Sequence, residues 1–508
     1  MKLPFTVFLF AVILLGGILR FYNVSNNPPG LYLDEVSIGL NAYDVLKTGK
    51  DQYGYSYPLV FKSLGDYKMP IYIYLVSLSM LVFGKTEFAV RFPSALAGTL
   101  TVLIVFFLFK ELLENDKKTK SVANILALIG AAILAILPWH LQFSRGGFEV
   151  CVALFFYSTG WLLGIRYWKT KKWLCLLGMV LFFCLAEYTY QSYRIVSPLT
   201  LFIIAIILFF KEKKLLKDFL LTCFVFIILS LPLILFSFTP HGQERFFETS
   251  AFGQNLFSKG IIGIFRDGVI FVNNYLSYFS LTYFFHLGDQ INRHQVQNFG
   301  LLYLWQLPFL VAGFYFLIKT KNNLIRFVTF FLLLVGPVAP ALALPSPHTL
   351  RFLSGAIPMV LLTTLGIYQI HISQIKWKKL AFFLVAVLVA VSFIYFLDYY
   401  FVQYPKESQL DWGGACKQVA YQIQKDSVIY KHIVVDKNLD CIPEYFAFYI
   451  PSVSVNYVGT SWVKPKAWGN QKVLYVRPFY GNNEPINLEK NIRLTDVDQD
   501  IFAQLYSL

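Results

Sequence analysis

Apolar runs of about the length that crosses a bilayer recur along the chain, separated by polar turns whose basic residues fall on every second turn. The first run, residues 3–21, is preceded by Lys2 and followed by no small-residue cleavage site, so it reads as a retained span that starts on the cytoplasmic side. Further runs lie at 88–108, 122–140, 148–165, 173–190, 195–210, 219–238, 300–318, 325–343, 351–370 and 380–398. The basic turns hold Lys110, Lys117, Lys118 and Lys120, then Arg166, Lys169, Lys171 and Lys172, then Lys211, Lys213, Lys214 and Lys217, then Lys319 and Lys321, and last Lys376, Lys378 and Lys379. This alternation predicts about eleven spans, with the tail from Tyr399 onward outside.

Two segments break the pattern. Residues 70–83 are apolar but reach only about 21 Å at 1.5 Å per residue, short of the roughly 30 Å hydrocarbon core, and read as interfacial or re-entrant. Before them, Val36, Leu40, Tyr43 and Leu46 recur at helical spacing in the polar loop after the first span, which predicts a short interfacial helix with Asp34 at its start, where an N-cap is the plainest role. From residue 401 charged residues return. Alternating segments at 428–435 and 472–476 predict strands, and 411–425 predicts a helix. The expected architecture is a polytopic α-helical membrane domain, 1–400, with interfacial helices in its first outer loop, plus a small extracytoplasmic α/β domain, 401–508.

Composition agrees. Of 508 residues, 56% are hydrophobic and only 14% charged, with a mean hydropathy of +0.56, which excludes a soluble globular protein. The net charge of +15 sits in the alternating turns and forms no continuous stripe, so no nucleic-acid partner is expected. Cys151, Cys175, Cys184 and Cys223 lie in apolar runs, which leaves Cys416 and Cys441 in the tail as the one pair able to bridge.

The candidate chemistry lies in the outer turns, where idle cations are disfavoured. Arg145 (in Phe143-Ser144-Arg145-Gly146-Gly147-Phe148-Glu149), Arg194 (in Tyr188-Thr189-Tyr190-Gln191-Ser192-Tyr193-Arg194) and Arg351 (in Pro347-His348-Thr349-Leu350-Arg351) stand there, with Arg91 and Lys68 on the same face. So do the acids Asp34, Glu35, Asp66 and Glu149. Converging cations beside lipid suggest a phosphate, because guanidinium forks match its oxygens, although each arginine alone could simply reach lipid head groups. The long outer loop 239–300 holds His286, Asp289 and His294 at a spacing that could take a divalent ion, without a tight ligand motif. Asp496-Val497-Asp498-Gln499-Asp500 lacks the glycine and terminal glutamate of a calcium loop and reads as a solvated helix start. No fixed-period repeat and no Gly-rich phosphate loop is present, so nucleotide hydrolysis is not expected.

The first span followed by Asp34-Glu35, then Tyr67-Lys68-Met69-Pro70 and Phe88-Ala89-Val90-Arg91-Phe92-Pro93-Ser94, resembles the GT-C membrane glycosyltransferases of the ArnT and protein O-mannosyltransferase type. Ser144-Arg145 with Phe148-Glu149 is similar to the second acidic loop of that family, and Arg351 to its basic residue near a late span. The likeness covers about residues 1–370 and departs at Met69, where a second proline is usual. It implies a polyprenyl-phosphate-linked sugar donor, a glycan, lipid or protein acceptor, and an active site on the extracytoplasmic side of the cell membrane. It also implies Asp34 as catalytic base and Lys68 on the lipid phosphate. Arg91 and Arg351 are expected to join Lys68, Glu149 to partner Asp34, and Glu35, Tyr67, Arg145, Arg194 and His348 to support the site. No cofactor is required beyond a candidate divalent metal ion. A lipid-linked-sugar flippase or other transporter is the competing reading. It is disfavoured because nearly every charge lies at span ends, whereas transporter sites lie near the bilayer midplane.

Overall fold

The computed structural model describes residues 4–252, 260–297, 299–374, 376–459, 464–468, 471–478, 492–495 and 501–507. In chain order it runs α1 (Phe5–Phe21), α2 (Leu33–Thr48), the hairpin β1 (Phe61–Ser63) and β2 (Asp66–Lys68), α3 (Pro70–Phe83), α4 (Glu87–Leu113), α5 (Ala123–Ile136), α6 (Pro138–Arg145), α7 (Glu149–Thr170), α8 (Trp173–Glu187), α9 (Tyr193–Lys211), α10 (Lys213–Ser237), α11 (Pro240–Thr249) and α12 (Gly260–Ser277). It continues through α13 (Leu307–Lys319), α14 (Asn323–Val335), α15 (Val338–Ala341), α16 (Ala356–Ile372), α17 (Lys378–Asp398), α18 (Tyr404–Glu407), α19 (Gly414–Asp426), β3 (His432–Asp436), α20 (Pro443–Tyr449), β4 (Asn456–Val458), β5 (Val473–Pro478), β6 (Ile492–Thr495) and β7 (Ile501–Ser507).

Among the described residues seven helices are long and apolar enough to cross a bilayer, or eight if the bent pair Lys120–Ile136 and Pro138–Arg145 is one span. Three shorter apolar helices, Phe5–Phe21, Trp173–Glu187 and Leu304–Lys319, fall on the remaining runs read as spans, and Pro70–Phe83 is again the short one. The fold is therefore the expected helical membrane architecture with a small sheet near its C-terminus. The segment 239–300, expected as loop, instead carries α11 and α12.

The chain divides into two compact units. The first comprises residues 1–22, 58–75 and 91–397. Its helices approach closely where side chains vanish: a Cβ on Gly313 would collide with the carbonyl oxygen of Leu362, and one on Gly366 with that of Phe309, so α13 and α16 meet backbone to backbone. Between α5 and α6 the axis bends by 56° at Leu137–Pro138, because the proline has no N–H for the turn before it. The carbonyls there accept from side chains elsewhere in the unit. Arg20 Nη1 donates to Ala135 O at 3.1 Å and Nη2 to Leu134 O at 3.5 Å, and the Tyr303 hydroxyl donates to Ile136 O at 2.9 Å. In an apolar medium an unmet carbonyl costs several kcal/mol, so these donors allow the break to lie inside the bundle.

The second unit comprises residues 23–57, 76–90 and 398–508. Its sheet has the order β4-β3-β5-β7-β6, with β3 parallel to both β4 and β5, and β7 antiparallel to β5 and β6. Val434, Val435, Val473 and Val476 are fully buried at its centre. Cys416 and Cys441 form a disulfide. Residues 23–57, the first part of the loop after α1, belong to this unit too. Leu31 N donates to the Tyr449 hydroxyl at 3.1 Å, that hydroxyl donates to Glu87 Oε1 at 2.6 Å, and Lys417 Nζ lies 2.7 Å from Glu87 Oε2. Gly30 and Gly39 are needed for close approach: a Cβ at Gly30 would lie 2.7 Å from Trp412 O, and one at Gly39 2.7 Å from the Phe448 ring. The acidic run Asp496–Asp500 lies outside the described residues.

Candidate active site

In the second unit, α2 starts two residues earlier than an N-cap at Asp34 required. Tyr32 is the N-cap residue, and Glu35, three positions on, accepts the Tyr32 backbone N–H on Oε2 at 3.1 Å. The capping role assigned to Asp34 thus belongs to Glu35, which is fully buried, while Asp34 sits half-buried in the first turn.

The first unit gathers several of the other candidates. The β1–β2 hairpin carries Tyr67 and Lys68, the latter buried and paired with Phe61. The 188–192 turn is stitched to it: Ile71 N donates to Tyr188 O at 3.1 Å, and Gln191 Nε2 donates to Tyr67 O at 2.8 Å. Gln191 Oε1 in turn accepts from Arg194 Nη1 at 3.0 Å, and Arg194 Nη2 reaches the Ser237 hydroxyl. Tyr67 meets the His241 ring at a tilt of 37°, with ring centroids 5.3 Å apart. Tyr190, buried in the turn between α8 and α9, reports what surrounds it. Burial pushes its hydroxyl pKa up, Arg351 draws it down, Glu149 adds to the rise and Lys68 draws it down again. Those charges come from α7, the hairpin and the 347–351 turn, and they converge on one phenol.

Beside this cluster a cavity of about 1040 Å³ opens between α9 and α10, with Tyr190, Arg194 and Arg351 among its lining residues. On α10 its lining runs from Leu220 to Ser237, about 25 Å of helix at 1.5 Å per residue. Glu187 also lines it and accepts from the Ser230 hydroxyl at 2.6 Å. A long, mainly apolar groove that ends at two guanidinium groups suits an amphiphile with an anionic head.

Other candidates lie differently. Arg145 is fully buried, and its Nη1 donates to the carbonyls of Leu19 at 2.6 Å and Arg20 at 3.4 Å, at the end of α1. Arg91 is fully buried near the start of α4. His286 is exposed, and among the described residues the group that could hold a metal ion is Asp289, His294 and His348, all buried, with ligand atoms within 4.8 Å of one another. Two nitrogens and one carboxylate suit a borderline divalent ion such as zinc. Asp289 Oδ2 meanwhile accepts His294 Nδ1 at 2.7 Å and Thr349 N at 2.6 Å, so an ion would replace the first of these bonds. Tyr190, Gln191 and Glu187 were missed in the sequence. The turn that holds the first two was singled out only for Arg194, and Glu187 ends an apolar run that gives no sign of its neighbour on α10.

A family model described as dolichyl-phosphate-mannose-protein mannosyltransferase matches residues 67–237, the stretch that begins at Tyr67 and Lys68 and contains the Glu149 turn and the helices α9 and α10 that frame the groove. No curated protein matches the chain. Among solved structures, ArnT from Cupriavidus metallidurans bound to undecaprenyl phosphate aligns over 99% of this chain and 97% of its own, with 11% identity and a TM-score of 0.55. The fold is of the GT-C type. Oligosaccharyltransferase AglB from Archaeoglobus fulgidus, in complex with an inhibitory peptide and a dolichol-phosphate, shares the GT-C fold over 88% of this chain and 63% of its own length, at 13% identity and a TM-score of 0.53. The Archaeoglobus fulgidus oligosaccharyltransferase in complex with zinc and sulfate aligns over 93% of this chain and 68% of its own, at 14% identity and a TM-score of 0.51. Family model and GT-C fold together support a membrane glycosyltransferase.

Proposed function

We propose that the protein transfers a sugar from a polyprenyl-phosphate donor to an acceptor hydroxyl or amine on a glycan, lipid or protein, on the extracytoplasmic face of the cell membrane. The observation that carries the proposal is the α9–α10 groove, long and apolar, with Arg194 and Arg351 at its polar end and Lys68 acting with Arg351 on the same phenol. The polyprenyl tail occupies the groove. Arg351 and Lys68, with Arg91 in support, balance the phosphate charge.

A sugar held at C1 by a lipid phosphate already carries a good leaving group. Asp34 takes the proton from the acceptor, the acceptor oxygen forms its bond to C1 from the opposite face, and the C1–O bond to phosphate breaks. Polyprenyl phosphate leaves as an anion stabilised by the cations, and the configuration at C1 inverts. Glu149 orients the acceptor. A divalent ion on Asp289, His294 and His348 would brace the turn that presents Arg351; no step of the transfer runs through it.

The test is purified protein in detergent with a polyprenyl-phosphate-linked sugar and a panel of acceptors. Release of free polyprenyl phosphate that depends on acceptor supports the reading. A donor left intact with glycan, lipid and protein acceptors alike, while proteoliposomes move it across the bilayer, would assign the protein to transport.

A further inference from the structure

A second cavity, of about 780 Å³, lies at the C-terminal ends of α7 and α9. Its lining takes α7 from Trp161 to Trp168 and α9 from Ile204 to Leu208, whereas Glu149 and Arg194 stand at the opposite ends of those helices. Two turns close it, 115–118 and 319–323, and they bring Lys117, Lys118, Lys319 and Lys321 to its rim, all exposed.

The rim is built in advance. Asp116, the one carboxylate in the lining, is buried and accepts Lys118 N on Oδ1 at 2.7 Å and the Thr320 hydroxyl on Oδ2 at 2.8 Å, which locks the two lysine turns together. The Tyr368 hydroxyl holds the same rim by donating to Lys118 O at 2.6 Å. The N-terminus of α14 also faces the cavity lining at Asn322–Leu324, and its dipole adds positive potential. Inside, Tyr167 is nine-tenths buried with a hydroxyl that has no hydrogen-bond partner among the described residues.

We propose that this cavity binds one anionic glycerophospholipid, with its phosphate on the lysine rim and the first methylenes of its acyl chains against the apolar wall. Four cations above an apolar pocket between membrane helices recognise a charged lipid head group. A soluble anion would gain nothing from the apolar wall. The depth along α7, about 10 Å at 1.5 Å per residue, is too shallow for a polyprenyl chain, which separates this cavity from the groove. The inference does not rest on the glycosyltransferase reading.

Native mass spectrometry of the full chain, exchanged into dioleoyl-phosphatidylglycerol or dioleoyl-phosphatidylcholine, reads the site. One retained phosphatidylglycerol is expected, with at least tenfold lower occupancy in Lys117→Gln/Lys118→Gln/Lys319→Gln/Lys321→Gln and unchanged occupancy in the control Lys213→Gln/Lys214→Gln/Lys217→Gln. Ile207→Trp, which fills the cavity and leaves the lysines in place, should expel the lipid as well, and it decides the matter if the quadruple variant does not fold. Equal retention of phosphatidylcholine, displacement by equimolar polyprenyl phosphate, or an equal loss in the control variant overturns the proposal.

Discussion

Two sets of arginines stand near the ends of helices in the first unit, and their surroundings differ. Arg20 and Arg145 are fully buried, and the donors of both reach main-chain carbonyls: Arg20 those of Gly16, Leu134 and Ala135, beside a 2.7 Å contact from Nη2 to His140 Nδ1, and Arg145 those of Leu19 and Arg20. Arg194 and Arg351 instead line a 1040 Å³ cavity, partly exposed, with Arg351 giving one bond to Leu344 O at 3.1 Å. Arg20 closes a helix break and Arg145 a helix end, whereas the second pair borders open space. The acids of α2 divide in the same way, with Glu35 buried in a cap and Asp34 half-buried beside it. Residue type and approximate position are alike across each pair, so it is the partner of each polar atom that separates scaffold from chemistry.

The sharpest test lies on the acids. Asp34→Asn preserves size and polarity but removes the proton acceptor, so turnover should fall by roughly 10²–10⁴ while donor binding and thermal midpoint hold. Near-normal sugar transfer by a folded Asp34→Asn protein would leave Glu149 as the base. On the arginines, Arg351→Ala should weaken donor binding by about tenfold to a hundredfold, from a charged hydrogen bond worth roughly 1.5–3 kcal/mol, with little change in Tm. Arg20→Met should do the reverse: orphaned carbonyls cost about 1–3 kcal/mol each and lower Tm by about 5 °C or more, while the folded fraction binds donor within about twofold of the parent. If Arg351→Ala proves the destabilised variant and Arg20→Met the one that loses donor, the division between the pairs is wrong. The smallest effect is expected at Asp289, His294 and His348. EDTA should lower Tm by about 2 °C, and His294→Gln should remove that response; metal-free protein by elemental analysis, indifferent to EDTA, would leave the Asp289–His294 pair as a plain hydrogen bond.

The spans were legible because crossing a bilayer is a local demand, met by each run of about twenty apolar residues whatever its neighbours do. The strands at 432–436 and 473–478 and the helix at 414–426 were legible for a similar reason, since alternation and helical spacing are carried by the segment itself. The candidate site was half legible. Lys68, Arg194 and Arg351 stood out because the topology rule makes a cation in those turns conspicuous, and Glu149 because it shares a polar turn with Arg145, but nothing local marked Tyr190 or Gln191, whose importance comes from the hairpin and the turn packed against them.

By itself, then, the sequence determined the membrane architecture, its polar turns and the inventory of charged residues. Tertiary structure alone decided that residues 23–57, the first part of the loop after α1, fold with the tail, because the bond from Leu31 to Tyr449 joins residues 418 positions apart. It likewise decided that His348, not His286, stands with Asp289 and His294 in the candidate metal-ligand set, and that Arg145 closes a helix end. A polar side chain takes its role from the groups it reaches, and in a helical bundle those groups come from segments whose separation along the chain no local pattern encodes.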